Sequence, residues 1–144
     1  MTIDINQYRP FREGKHREFI SSENGCTHVG KNVKQQVVRQ FKIDGEVIPS
    51  GSSAQRCDYL LLNDETKSSY YIELKGSDIP KAIEQIENTV AMISAKIPQY
   101  KVFRRIIYKT GSHKVKDSAV LHWQRKHGKT AIIKERKYED NICE

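Results

Sequence analysis

The clearest alternation of hydrophobic and polar positions lies in the middle of the chain. "CDYLLLND" is an apolar run with polar ends, which predicts a buried strand. "ETKSS" reads as a polar turn, and "YYIELKG" as the second strand of an antiparallel pair. "SDIPKAIEQIENTVAMISAKI" then changes period. Ile79, Ile83, Ile86, Val90 and Ile93 fall on one helical face. Ser77 or Asp78 is the cap, Pro80 suits the first turn, and Pro98 is the stop. "YKVFRRIIYKT" predicts a further strand closed by Gly111. "VKDSAVLHWQRKHG" predicts a short helix stopped by Gly128, and "TAIIKERKYE" a last strand.

Upstream, the pattern is weaker. A helix is expected within Gln7–Ser22, anchored by Tyr8, Phe11, Phe19 and Ile20, and "ENGCTHVG" reads as a loop. Val33, Val37 and Phe41 recur at helical spacing, yet Val37-Val38, Phe41 and Ile43 before "DG" suit a strand and hairpin turn. A strand over Val37 to Ile43 is the preferred reading, and "PSGSS" is a connector. The element order predicts an α/β (α+β) fold in one domain, residues 1–144, with a mixed central β-sheet flanked by helices.

Composition narrows the class. With 37% hydrophobic and 30% charged residues, the chain has the make-up of a soluble globular protein. Its 144 residues are enough for a core without staples. No apolar run approaches the roughly 20 residues of a membrane span. The first residues lack an apolar signal core. A cytoplasmic address and no membrane partner are therefore expected. Cys26, Cys57 and Cys143 have neither disulfide nor zinc spacing, and Cys57 reads as a small buried apolar residue. The five histidines have no metal spacing and are expected on the surface. Net charge is +7, which favours a polyanion, nucleic acid first.

The candidate chemistry sits in "YYIELKG". Glu73 and Lys75 are two apart on a strand and share a face. If the two central strands pair through "ETKSS", Asp58 meets Glu73 and Lys75. Paired carboxylates suit a hard divalent cation, Mg²⁺ or Mn²⁺, with the Leu74 backbone carbonyl as a further oxygen. Such a cation polarises a phosphoryl oxygen and acidifies a bound water, while an ammonium stabilises developing charge. The same triplet recurs at Glu13/Lys15, Glu65/Lys67 and Glu135/Lys137. None of these has both an acid-bearing strand before it and an amphipathic helix after it.

"CDYLLLNDETKSSYYIELKG" resembles the core of the PD-(D/E)XK nuclease superfamily, the restriction-endonuclease-like fold, from about Gln55 to Lys96. The resemblance implies Asp58 and Glu73 as metal ligands and Lys75 as the catalytic lysine. Cys57 stands where the motif has Pro. Some members carry Gln and Tyr four apart on the next helix; here Gln85 is followed by Thr89, so Gln85 is the candidate. Many add a Glu from an N-terminal helix, for which Glu18 and Glu23 both qualify. Lys81, Arg104, Arg105 and Lys109 are candidate phosphate contacts. Ser52 and Ser53 offer hydroxyls, although a polar loop is the simpler account. Trp123 reads first as a core anchor within a basic segment. The expected activity is a Mg²⁺-dependent endonuclease acting on DNA ahead of RNA, with a homodimer as one way to cut two strands. The alternatives are an inactive nucleic-acid-binding or assembly module of the same fold, and an RNA-cutting, toxin-like nuclease.

Overall fold

A computed structural model of the chain describes residues 2–49, 55–110 and 115–143; Ser52, Ser53, Gly111 and His113 lie outside the described residues. Nine strands and two α-helices are described. They are β1 (Arg12–Gly14), β2 (Glu18–Glu23), β3 (Cys26–Lys31), β4 (Val38–Lys42), β5 (Tyr59–Asn63), β6 (Ser68–Lys75), α1 (Ile79–Ile93), β7 (Lys101–Tyr108), α2 (Ser118–His127), β8 (Ala131–Glu135) and β9 (Lys137–Asn141).

The central sheet has the order β1-β4-β5-β6-β7-β8. It is antiparallel from β1 to β6 and parallel from β6 to β8. The expected mixed sheet is thus present. α1 and α2 are the connections that parallel neighbours require, and both pack on one face of the sheet. Leu60, Leu62, Tyr71, Ile86, Ile93, Ile106 and Trp123 share the core on that side. Asp78 caps α1, accepting from the Lys81 amide, with Pro80 in its first turn.

Among the described residues, the other face carries no helix. A second sheet, β2-β3-β9, covers it. Phe19, Cys26, Leu61, Tyr70, Ile72, Leu74 and Ile142 fill the space between the sheets. The approach is close at Gly30, where a Cβ would lie 2.9 Å from Leu61 Cδ1.

This second sheet corrects three expectations. The helix placed within Gln7–Ser22 is a short 3-10 turn at Ile5–Gln7 followed by β1 and β2. β2 alternates with period two and buries Phe19, but Ser21 points inward and Ile20 outward, so its polarity is inverted at those two positions. The "ENGCTHVG" loop shrinks to Asn24-Gly25. Both residues take positive φ, 53° and 74°, as a tight type I′ hairpin demands, and β3 follows at once. The single C-terminal strand is two strands. Arg136, at φ 64°, breaks it and sends β9 to the second sheet.

One buried cluster ties the sheets together. Arg105 on β7 is 4% exposed and donates to Asp140 on β9 through Nε at 2.7 Å. His28 on β3 meets the same carboxylate at 2.9 Å. His28 is therefore fully buried, against the expected surface position. Burial pushes the Asp140 carboxyl up, but His28 and Arg105 outweigh it and hold it below its ordinary value. Removing the acid strands a buried guanidinium. Asp140→Ala is expected to lose ~3–5 kcal/mol in urea unfolding at neutral pH. Because the folded-state pKa is depressed, that contribution exists above about pH 4 and is lost as pH falls below it. The gap between wild type and variant should narrow there.

Candidate functional site

The β5–β6 register runs from Asn63↔Ser68 to Tyr59↔Ile72, and one step further sets Asp58 across from Glu73. At that point β5 ends, and the Leu74 amide would lose its strand partner. Asp58 Oδ2 takes it instead, accepting from Leu74 N at 2.8 Å.

Alternation along β6 sends Tyr71, Glu73 and Lys75 toward α1 and Tyr70, Ile72 and Leu74 toward the second sheet. Glu73 is 2% exposed. Lys75 is half-buried, and its Nζ donates to Gln85 Oε1 at 2.9 Å. Gln85 Nε2 donates in turn to the Arg56 carbonyl at 3.2 Å. One turn along α1, Thr89 Oγ1 accepts from the Cys57 amide at 2.8 Å. Helix α1 therefore holds both the lysine and the chain entering β5. Asp58, Glu73, Lys75 and Gln85 are brought together, and Cys57 is buried as expected.

The electrostatics are unfavourable in a directed way. Burial raises the pKa of Asp58, the Leu74 N–H draws it back, and Glu23 and Asp44 push it up again. Glu73 is raised further, by burial first and the Asp58 charge second, with Lys75 opposing. The pair is asymmetric: Glu73 favours the ionised form of Asp58, whereas Asp58 disfavours that of Glu73. Glu73 Oε1 is buried without a hydrogen-bond partner among the described residues.

The tip of the β2–β3 hairpin forms another wall. Asn24 Nδ2 donates to the Leu74 carbonyl at 2.9 Å, and Cys26 Sγ lies 3.6 Å from the Lys75 carbonyl. The hairpin also separates the two glutamate candidates. Glu23 stands in the field of Asp58, whereas Glu18 is paired with Lys31. Sequence reasoning missed Asn24, and the available signal was its Asn-Gly pair, a hairpin signature.

The basic stripe on β7 is not formed. Arg104 faces α1 and is held by Glu87 at 2.6 Å, while Arg105 is buried on the opposite face. Lys81 pairs with Glu84 at 3.8 Å. Lys109 is exposed beside Gly25, on the hairpin side of the acids. Trp123 is a core residue, and its Nε1 donates to Glu87 at 3.0 Å.

Among the described residues, no group of three or more His, Cys, Asp or Glu side chains is arranged to hold a metal; this site has two carboxylates. A groove of about 720 Å³ lies apart from them, between β1 and β2, and none of Asp58, Glu73, Lys75 or Gln85 lines it. No described helix is long and apolar enough to cross a membrane. Compared with models of protein families, with curated proteins and with solved structures, the chain matches none.

The raised carboxyls make a signed prediction. A folded-state pKa above the unfolded value means that stability is lost as pH rises past the ordinary carboxylate range, about 4. In metal-free buffer, Glu73→Gln should melt with wild type near about pH 4 and increasingly above it toward alkaline pH. Thermal unfolding across a pH series measures this. A variant less stable than wild type at alkaline pH would show that the Glu73 charge stabilises the fold.

Proposed function

We propose that this protein is a metal-dependent nuclease of the restriction-endonuclease-like fold, hydrolysing phosphodiester bonds in DNA ahead of RNA. One observation carries the reading: a buried glutamate with an orphaned oxygen lies against a second carboxylate, beside a lysine held by a glutamine. Two buried acids opposed across a hairpin destabilise the fold and are a poor structural device. The order of acid-bearing hairpin, helix and strand around them supports the restriction-endonuclease-like reading.

The donor set fits Mg²⁺ or Mn²⁺. Asp58 and Glu73 supply hard anionic oxygens, and the orphaned Glu73 Oε1 is the kind of atom that a cation satisfies. The Leu74 carbonyl accepts one bond from Asn24 and retains a second lone pair. When bound, the cation supplies a Lewis acid and an acidified water. The protein's own part is positional. Gln85 fixes the Lys75 ammonium near the acids, where it stabilises charge developing on a phosphoryl oxygen. Hydrolysis adds a water oxygen to phosphorus and expels one sugar oxygen. The net charge of +7 supplies long-range attraction for the polyanion.

Two measurements test this. Plasmid, single-stranded DNA, branched DNA and RNA are each incubated with the protein and Mg²⁺ or Mn²⁺. Cleavage is expected, and Lys75→Ala should slow it by ~100-fold or more. Separately, Mn²⁺ should raise the melting temperature of wild type but not of an Asp58→Asn/Glu73→Gln double variant. Intact substrates throughout, with no thermal shift, would remove the nuclease reading and leave the inactive module.

A further inference from the structure

The groove between β1 and β2 is not used by the proposed chemistry, yet its lining is unusual. Phe11, Ile20 and Val33 are 52%, 52% and 62% exposed there, far more than large apolar side chains need be. Between them stand Arg12, Arg17 and Lys31. Arg12 and Arg17 are in no ion pair among the described residues; Lys31 is paired with Glu18, the one carboxylate in the lining. The groove is therefore net positive as well as apolar. β1 and β2 are edge strands of their two sheets, so the groove is an open trough between sheet edges.

One aromatic contact links the trough to β5. The Phe11 ring packs edge-on against Tyr59, with centroids 6.3 Å apart. Tyr59 precedes Leu60 on β5 and directly follows Asp58, and the Glu23 charge acts on both Tyr59 and Asp58. Phe11 lies at the Asp58 end of the trough, since its amide donates to the Gln40 carbonyl beside the β1–β4 ladder. Alternation turns the Tyr59 ring toward the second sheet, so Phe11 and the acids are linked through the β5 backbone.

An exposed aromatic side chain beside Arg17 and Arg12, the latter resting over the Phe19 ring at 6.0 Å, matches one chemistry closely. A duplex hides its base faces and offers phosphates alone. An unpaired strand offers both, as stacking surface and as charge. We infer that the β1–β2 trough binds a single-stranded segment of nucleic acid, stacking a base on Phe11 and seating phosphates on Arg12 and Arg17. The inference rests on the nuclease reading for its biological sense, but binding is tested without cleavage.

The test uses fluorescein-labelled oligonucleotides of about twelve nucleotides, oligo-dT, oligo-U and a mixed-sequence duplex, titrated with the full chain in EDTA. Single strands should bind more tightly than the duplex; the dT and U arms distinguish DNA from RNA. Phe11→Ala should weaken single-strand binding by ~10-fold. Phe11→Tyr, which keeps the ring face, should bind like wild type, whereas Phe11→Leu should behave as Phe11→Ala. Arg17→Ala should reduce the slope of log affinity against log salt by ~0.7. Melting temperatures establish that each variant is folded. Equal affinity for duplex and single strand, indifference to Phe11→Leu, or no binding at low salt would each overturn the inference. Because no divalent ion is present, a failure here is distinct from a failure of cleavage.

Discussion

The candidate site depends on a single hydrogen bond, from the Leu74 amide to the Asp58 carboxylate. It forms where β5 stops and β6 continues, so the carboxylate replaces the missing strand. It lies at the step of the register that sets Asp58 against Glu73, with Leu74 directed to the second sheet and Lys75 facing α1. A one-residue slip would reverse every one of these faces. The same amide contact holds Asp58 in place while burial and the charges of Glu23 and Asp44 work against its ionised form.

Three elements meet at this corner, and each contributes differently. The hairpin supplies the acids and lysine. α1 supplies Gln85 and Thr89, which tie the lysine and the start of β5 to one helix face. The second sheet supplies Asn24 and the charge of Glu23. The destabilising acid pair is offset elsewhere, by a core between two sheets and by the Arg105–Asp140–His28 cluster that crosses it. The Arg105 cluster and the acid pair thus lie on opposite faces of the central sheet, while Arg104 is held by Glu87 on the α1 face.

How much of this was legible depends on how local the cause is. From Cys57 to Ile97, apolar period and turn chemistry agree, and the hairpin, helix and Asp58–Glu73–Lys75 grouping could be read directly. β2 could not, because its inward Ser21 and outward Ile20 invert the usual signal there; Ser21 is satisfied by Gln40, nineteen positions away. His28 is buried because of Asp140, which is distant in sequence. The break at Arg136 has no glycine to mark it. Adjacent arginines on β7 could have been separated by alternation alone, since neighbours on a strand cannot share a face.

The parallel pairing of β3 with β9 carries a consequence for the order of assembly. The hairpin that walls the acids belongs to the early part of the chain, while the strand that completes its sheet, Lys137–Asn141, is made more than a hundred residues later. During synthesis the acids, the lysine and α1 are all present before that sheet can be complete. Closure of the second sheet, and with it the buried Arg105 cluster, cannot precede synthesis of Lys137–Asn141.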